Sequence, residues 1–308
     1  MSRAERPGAD SVDVLAWLPH GQRDPEFASP ERQRAWAEAL EALSIRRALW
    51  MHEAASEAAV TALHARLGVS VNPLVPNMRA YLRDASDYGV VGAALHRFRR
   101  LSVLDQARIA LHNAPRALAV LARDFATGVL GMVEMELVRF RPYAPSSVVL
   151  NASVTDLALA LDNDRLLREF VRLAQRTYGL EAGLATYNYG ALVERLRGWA
   201  IRPGVIMAPF NPRGYLMQPS LEECERALKV SDVPVIASHI QVDGLVSRPE
   251  ALAYLHGLGI RQGLVELAPG APGLGAPAWT RRAGLAYHGP EQRAVSSHDE
   301  AHHSDPLL

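Results

Sequence analysis

Residues 181–239 read EAGLATYNYGALVERLRGWAIRPGVIMAPFNPRGYLMQPSLEECERALKVSDVPVIASH. Each apolar run in this stretch is followed by a break containing Asn, Pro or Gly and then, in two cases, by a helical pattern. The second helical pattern begins at Ser220, which follows a proline and precedes two glutamates, residue types that favour a helix N-terminus. Short strands separated by helices predict βαβ units and therefore a parallel sheet. The predicted strands of this stretch are 181–188, 204–210 and 233–239.

The same strand-then-helix unit recurs along the whole chain. Eight such units with apolar strands predict an α/β fold, the closed (β/α)₈ or TIM barrel. An open doubly wound sheet is the alternative, but no G-x-G-x-x-G follows the first strand, which removes its commonest dinucleotide-binding form. Residues 13–20 (DVLAWLPH) are left over and could form a ninth strand or an N-terminal cap. The eight predicted strands are 47–52, 70–75, 132–140, 148–153, 181–188, 204–210, 233–239 and 262–267.

The chain divides into a barrel at 46–270, an N-terminal cap segment with the first helix at 1–45, and a tail. The second and third predicted strands are separated by far more residues than a usual connection contains. This helical insertion, residues 78–128, holds two amphipathic helical patterns, at 102–112 and 115–125. It could act as a lid or an oligomer contact, or it could simply pack against the barrel. The tail, 271–308, is rich in Gly, Pro, Ser and His and is predicted to be flexible.

The charge balance argues against binding to nucleic acid or to anionic membranes. The chain carries 33 basic and 33 acidic side chains, so its formal net charge is zero. No apolar run reaches the roughly 18–20 residues of a membrane span, and the first residues lack the apolar core of a signal peptide. The single cysteine, Cys224, excludes an internal disulfide and a thiolate-rich zinc site. These features predict a cytoplasmic protein without nucleic-acid or membrane partners.

The predicted strand at 132–140 contains the most informative pair of residues, Glu134 and Glu136. In MVEMELV the apolar residues alternate with the two glutamates, so a strand would direct both carboxylates into the barrel. Burying two carboxylates on one face costs free energy unless protons, cations or hydrogen bonds compensate. The pair therefore predicts acid–base chemistry, and the alternative is that one of them pairs with an arginine such as Arg139.

Polar side chains stand at the predicted carboxyl ends of most strands, where a barrel places its active site. Each has an ordinary explanation as a turn residue, a helix cap or a structural histidine, so the prediction depends on their joint placement. Together they predict a polar mouth that binds a small hydrophilic molecule. The candidate catalytic residues are Glu134, Glu136, His52 and His239. The candidate substrate-binding residues are Asn77, Asn151, Asp156, Thr186, Asn188, Asn211, Arg213 and Gly244. Further polar residues at these ends are Glu53, Asn72, Ser153, Thr155 and Ser238.

One divalent metal ion is an open alternative. The strand ends carry imidazole and carboxylate groups, and both kinds of group are common ligands of divalent metal ions. The chain lacks a compact signature such as H-E-x-x-H. The possible metal ligands are His52, Glu136, Asp156, His239 and Glu266.

The number and position of lysines limit the catalytic mechanisms that the chain can use. Lys229 is the only lysine, and it precedes the seventh predicted strand, at the end of the barrel opposite the mouth. A Schiff-base mechanism needs an amine at the mouth, so this placement argues against it. No G-x-S-x-G elbow for a serine nucleophile is present. Carboxylate and histidine acid–base chemistry remains, which predicts a lyase or isomerase acting on a small carboxylated, hydroxylated or phosphorylated metabolite.

Residues 233–270 resemble the seventh and eighth strands, with their loops, of phosphate-binding (β/α)₈ barrels, the set that contains aldolases, epimerases and related lyases. A strand ending in small residues (VPVIAS), a turn at Gly244, a helix beginning Pro-Glu-Ala and the following GLVELAPG carry the resemblance. It implies that backbone N–H groups at Gly244 and at residues 268–270 hold a phosphate. The chain departs from the pattern at His239 and Gln241, where small residues are usual, and in the proline-broken APGAPG.

Two other function classes stay open. A metal-dependent hydrolase could use the same barrel, and a non-catalytic scaffold could use the inserted helices as its contact surface, with a homo-oligomer as one outcome.

Overall fold

The computed structural model describes residues 12–18, 29–113 and 124–266, in which eight parallel strands form a closed barrel. The predicted (β/α)₈ fold is confirmed, and each strand pairs with its neighbours in chain order. Seven of the predicted strands form at the expected places. The strands are β1 Asp13–Trp17, β2 Arg47–Trp50, β3 Ser70–Val75, β4 Ser147–Leu150, β5 Glu181–Ala185, β6 Val205–Pro209, β7 Val235–Ser238 and β8 Gln262–Glu266.

The eighth strand of the set is β1, which closes the barrel against β8. The paired residues run from Asp13 opposite Gln262 to Trp17 opposite Glu266, and β1 also pairs with β2. The segment 13–20 therefore contributes neither a ninth strand nor a cap outside the sheet. The barrel begins at β1, upstream of the predicted boundary at residue 46.

Strand side chains alternate between the barrel interior and the surrounding helices. One cluster of buried apolar side chains draws members from every strand, among them Leu15, Leu49 and Leu264, and fills the interior. The alternate positions, such as Ala48 and Trp50, belong to the larger core between the barrel and its helices. This two-layer packing is the one expected of a closed barrel.

Most helices begin at a residue that caps them. Ser220, Ser247, Asn151 and Asn163 each accept a hydrogen bond from a backbone N–H in the first turn of the helix that follows. In the described ranges the helices are α1 Pro30–Ala42, α2 Ala54–Leu67, α3 Met78–Arg99, α4 Val103–Asn113, α5 Phe125–Leu137, α6 Ala152–Ala160, α7 Asp164–Arg172, α8 Tyr189–Trp199, α9 Leu221–Val230 and α10 Arg248–Gly257. A 3₁₀ helix at Val138–Tyr143 continues α5, and a π-helix at Leu173–Tyr178 continues α7.

The prediction of a strand at 132–140 is wrong, because these residues form the end of α5 and the start of the 3₁₀ helix. Met, Glu and Leu are strong helix formers, and the buried Val129, Leu130, Val133 and Leu137 follow a helical spacing as well as the alternation does. Asp124 caps α5 by accepting a hydrogen bond from the Thr127 N–H at 2.9 Å. Glu134 and Glu136 therefore lie on a helix outside the sheet and do not point into the barrel interior.

The helical insertion consequently lies between β3 and β4 and extends from α3 to the 3₁₀ helix, beyond the predicted end at 128. The predicted helix at 102–112 corresponds to α4, and most of the one predicted at 115–125 lies outside the described residues. Helices α3, α4 and α5 share a small apolar cluster that includes Tyr81, Ile109 and Met135. Inside α3, Gly89 has φ 69°, which kinks the helix at a backbone conformation that glycine adopts without strain.

Within residues 12–18, 29–113 and 124–266, none of the helices combines the length and the hydropathy that a membrane span requires. The tail predicted at 271–308 lies outside the described residues.

Cys224 is a free, buried thiol whose pKa is raised by burial to about 11, so it is not a reactive thiolate near neutral pH.

Candidate functional site

A cavity of about 410 Å³ opens at the carboxyl ends of the strands. Every strand, or the residue directly after it, contributes to its lining, which is the arrangement that a (β/α)₈ barrel uses for active sites. Its lining residues are Trp17, Met51, Leu74, Arg79, Asn151, Ala152, Ser153, Ala185, Thr186, Tyr187, Met207, Ser238, His239 and Leu264. We refer to this cavity as the mouth.

The floor of the mouth is apolar. Leu74, Met207 and Leu264 belong to the interior cluster of the barrel and line the cavity from below. Trp17 packs against the same cluster. A ligand in the mouth therefore contacts apolar surface on one side and polar groups at the rim, as most small-molecule sites require.

At the end of β4, Asn151 fixes the loop and caps α6. Its backbone N–H donates to the Val75 carbonyl at 2.6 Å, and its Oδ1 accepts from the N–H and hydroxyl of Ser153 at 3.0 and 2.9 Å. Its Nδ2 lies 4.0 Å from the thioether of Met51. Because a thioether is a weak acceptor, this amide can donate a stronger hydrogen bond to a ligand in the mouth.

At the end of β5, a partly buried hydrogen-bond network holds the backbone around Tyr187. The Thr186 hydroxyl donates to Asp156 and accepts from the Asn188 N–H at 2.8 Å, while Asp156 also accepts from the Tyr187 N–H at 3.1 Å. Burial raises the pKa of Asp156, and the hydrogen bonds from Thr186, Tyr187 and Asn188 oppose that rise. Asp156 and Asn188 thus support the rim from behind, and Thr186 and Tyr187 line it.

At the end of β7, His239 is half-buried and lies between two tyrosines. Its ring centroid is 6.0 Å from that of Tyr187 and 6.3 Å from that of Tyr215. Its φ is 50°, and Val242 in the same loop has φ 47°. Left-handed conformations of non-glycine residues cost free energy and cluster at functional sites, so this loop is a strained part of the mouth.

Arg79 supplies a cation at the opposite side of the rim, in the first turn of α3. It is exposed and forms no ion pair with any residue that the structure describes. Its position depends on Asn77, which accepts a hydrogen bond from the Ala80 N–H at 3.1 Å and donates to the His52 carbonyl at 2.9 Å. An exposed, unpaired guanidinium at a cavity rim is suited to binding an oxyanion.

Glu136 lies behind this helix start and does not line the mouth. Both of its carboxylate oxygens accept from the Asn77 N–H, at 2.9 and 3.1 Å, and Nη1 of Arg97 is 3.9 Å away. Burial raises its pKa to about 7, and the Asn77 N–H and the guanidiniums of Arg97 and Arg139 oppose the rise. Glu136 therefore supports Asn77, and it is not in contact with the cavity.

Glu134 points elsewhere, because residues two apart on a helix are separated by about 200° around its axis. It accepts hydrogen bonds from His112, Asn113 and Tyr178, none of which lines the mouth. The structure thus separates the two glutamates that the strand pattern predicted to act together.

His52 lies on the outer side of the barrel wall. Its ring packs 5.1 Å from Trp50 and 6.4 Å from Phe140, and its Nε2 is 3.4 Å from a carboxylate oxygen of Glu57. Burial and the nearby Arg139 lower its pKa, while Glu57 opposes the shift. His52 is therefore placed as a packing residue behind β2.

The remaining predicted residues form the loops around the mouth. Asn211 is fully buried and holds its own turn, since it accepts from the Arg213 and Tyr215 N–H groups and donates to the Tyr215 carbonyl. Arg213 is exposed and is not among the lining residues. The Gly244 N–H, predicted to hold a phosphate, donates to the Gln241 carbonyl at 2.9 Å. Glu266 is the last residue of β8, and the structure describes its backbone but not its side chain.

The possible metal ligands do not converge. Among the residues that the structure describes, no group of three or more His, Cys, Asp or Glu side chains is placed to hold a metal ion. His52 faces the outer core, Glu136 contacts Asn77, and Asp156 contacts Thr186.

Nine lining residues were not predicted: Trp17, Met51, Leu74, Arg79, Ala152, Ala185, Tyr187, Met207 and Leu264. Trp17 ends β1, which was left outside the eight predicted strands, so a correct strand count would have identified it. Met51 directly follows β2 and lay within the predicted strand 47–52. Arg79 follows β3 by four residues on a helix, and no local pattern distinguishes it from the many other arginines.

Comparison with protein-family models found no match, and neither did comparison with curated proteins.

Proposed function

We propose that this protein is an acid–base enzyme, a lyase or isomerase, that acts on a small anionic metabolite bound in the mouth. The observation that carries the proposal is that His239 and Arg79 line the same cavity, at the carboxyl ends of all eight strands. An imidazole can serve as a proton donor or acceptor in catalysis, and a guanidinium can bind a carboxylate or phosphate.

His239 is the general acid or base in this proposal. Proton transfer to or from a carbon next to a carbonyl needs such a group within hydrogen-bond reach of the substrate. Asn151 and Ser238 supply amide and hydroxyl groups that can orient a substrate oxygen. Glu134 and Glu136, which the strand pattern nominated for this role, do not line the cavity.

The position of Lys229 supports chemistry without a Schiff base. It lies in the last turn of α9, which leads into the amino end of β7, whereas the mouth is at the carboxyl ends. Because it is the only lysine in the chain, no amine of this type is available to a substrate in the mouth.

Phosphate binding, which the resemblance to phosphate-binding barrels implies, remains part of the proposal, but the residue proposed to bind the phosphate is different. The N–H groups of Gly244 and Val246 are both bonded to the Gln241 carbonyl, at 2.9 and 3.0 Å. Arg79 is therefore the better candidate for holding the anionic group, whether it is a phosphate or a carboxylate.

The test is exchange of substrate hydrogen for deuterium. Incubating the protein in heavy water with a panel of keto acids and sugar phosphates should transfer deuterium to the carbon next to a carbonyl in at least one compound, measured by proton NMR. His239→Asn should abolish the exchange, because asparagine tolerates the left-handed backbone but cannot titrate.

Arg79→Ala is the companion variant. It should weaken binding of the compound that exchanges, with a smaller effect on exchange at saturation, because it removes anion binding and leaves His239 in place. Exchange that is unchanged by His239→Asn would contradict the proposed role of the imidazole.

We also propose that the helical insertion contacts a second copy of the chain. Six apolar side chains on α3 and α4 are 64% to 82% exposed, and exposed apolar surface of this kind is typical of a protein–protein contact. The formal net charge of zero means that two copies do not repel each other. These exposed residues are Leu82, Val90, Val91, Val103, Leu104 and Leu111.

A further inference from the structure

A second cavity, of about 760 Å³, lies between the insertion and the amino ends of two strands. Pro145 and Leu180 line it just before β4 and β5 begin, so it is at the end of the barrel opposite the mouth. Residues of α4, of α5 and of the π-helix that ends at Tyr178 complete its walls. π-Helical turns are rare and often occur at functional sites.

Glu134 is a buried carboxylate in the wall of this cavity. Its side chain is 1% exposed, and it accepts hydrogen bonds from Nδ1 of His112, from the Asn113 amide and from the Tyr178 hydroxyl at 3.3 Å. A buried carboxylate is costly unless such donors surround it. Three donors drawn from two different elements therefore fix its position.

The hydrogen bond to Glu134 determines which ring nitrogen of His112 is left for the cavity. The two ring nitrogens lie on opposite sides of an imidazole, so Nδ1 at the carboxylate directs Nε2 away from it. The side chain is 32% exposed and lines the cavity. No other partner of His112 occurs within residues 12–18, 29–113 and 124–266. A carboxylate that orients a histidine in this way leaves the other nitrogen able to bind a ligand.

Two guanidiniums stand at the same cavity. Arg141 pairs with Asp105 at 2.7 Å, whereas Arg108 is exposed and has no ion-pair partner in the described part of the chain. Burial and Glu134 raise the pKa of Tyr178, and both guanidiniums oppose that rise, which places their charge near the cavity wall. The cavity therefore has one unpaired guanidinium, that of Arg108, in the same lining as His112.

Apart from the Thr177 hydroxyl, the rest of the lining is apolar and is contributed by Ile109, Leu111, Leu137, Pro145 and Leu180. A ligand that fits this surface combines an anionic group with an apolar body.

We propose that this cavity is a second binding site, for a small molecule that joins a phosphate or carboxylate group to an apolar body. Arg108 and Arg141 bind the oxyanion, and Nε2 of His112, oriented by Glu134, forms a hydrogen bond to the same ligand. The site is separate from the mouth and does not depend on the function proposed for it.

The experiment uses phenyl phosphate as the probe and phenol as its uncharged control. Diethyl pyrocarbonate modifies accessible histidines, and peptide mass spectrometry gives the modification rate of His112 and of His239 in the same sample. With phenyl phosphate at about ten times its Kd, we expect modification of His112 to slow about tenfold. Phenol at the same concentration should leave the rate unchanged.

Arg108→Ala should remove the protection of His112, because it deletes a charge-assisted hydrogen bond from an exposed residue that the fold does not need. Arg176→Ala is the matched control, an exposed arginine of the neighbouring π-helix that does not line the cavity, and it should retain protection. Equal rates at His112 with and without phenyl phosphate would overturn the proposal, as would protection that survives Arg108→Ala. Protection confined to His239 would also overturn it while supporting the function proposed for the mouth.

Discussion

Glu136 shows how a single buried group connects the insertion to the mouth. The nearest cation, Arg97, is engaged by Asp84 at 2.6 Å and lies over the ring of Tyr81 at 3.9 Å, so it compensates the carboxylate only from a distance. Burial consequently dominates and raises the pKa of Glu136 from its ordinary 4.5 to about 7. The neutral carboxyl is favoured by the fold under mildly acidic conditions.

This shift predicts that stability falls as the pH rises. Between pH 4.5 and about 7 the folded chain keeps a proton that the unfolded chain has released. The stabilising contribution of neutral Glu136 is therefore complete below that range and is lost as the pH rises through it. Relative to Glu136→Gln, which cannot titrate, the wild-type free energy of unfolding should fall by about 2–3 kcal/mol from about pH 5 to about pH 8.

Urea unfolding of both proteins across this range measures the difference. Glu31→Gln, an exposed residue of α1, is the control and should follow the wild-type curve. Parallel curves for wild type and Glu136→Gln would show that the carboxyl keeps its ordinary pKa in the fold.

At the same scale, the sequence predicted some residues of the mouth and not others. Asn151, Thr186 and His239 could be found because they follow short apolar strands directly, where strand geometry dictates position. Arg79 could not, because its place depends on how α3 begins, which in turn depends on the Asn77 contact with Glu136. That contact joins residues far apart in the chain, and no local pattern records it.

At the scale of elements, the segment 132–140 shows the limit of periodicity. Its apolar residues fit both an alternating and a helical spacing, and the length of the apolar run does not decide between them. The helix forms because Asp124 caps it and because His112, Asn113, Tyr178 and Asn77 supply donors to its two glutamates. These donors come from other elements, so only the folded chain reveals them.

The exposed apolar face of the insertion predicts self-association. Val91, on α3, is 77% exposed, and Val91→Glu should shift the protein to a smaller species in size-exclusion chromatography with light scattering, because a charge at an apolar interface is costly to bury. Leu161→Glu is the control, since Leu161 is 59% exposed between α6 and α7 and does not belong to α3 or α4. A wild-type protein that is monomeric at high concentration would contradict the proposed contact.

At the scale of the whole molecule, alternation of strands and helices was enough to predict the closed barrel. The count of eight came out right although one member was wrong, because 132–140 was counted and β1 was set aside. A closed barrel needs every edge paired, so the segment left over at 13–20 was the natural replacement once 132–140 proved helical.

Closure through β1 predicts a sharp difference between two truncations. Deleting residues 1–28 removes β1 and leaves the edges of β2 and β8 unpaired, so the protein should lose its cooperative unfolding transition. Deleting only residues 1–11 keeps β1 and should leave the transition in place. Thermal unfolding followed by near-ultraviolet circular dichroism distinguishes them, and a cooperative transition in the shorter fragment would show that the β1 pairing is dispensable.

The pairing of β1 with β8 also has a consequence for synthesis. The first strand leaves the ribosome early, but its second neighbour is among the last described residues to be made. Until β8 is made, the sheet of the nascent chain is open and has two edge strands with unpaired backbone N–H and C=O groups. This state lasts for most of translation. We therefore expect chaperone dependence to be greatest for ribosome-bound chains stalled before residue 262, and to drop once the last strand is free to dock.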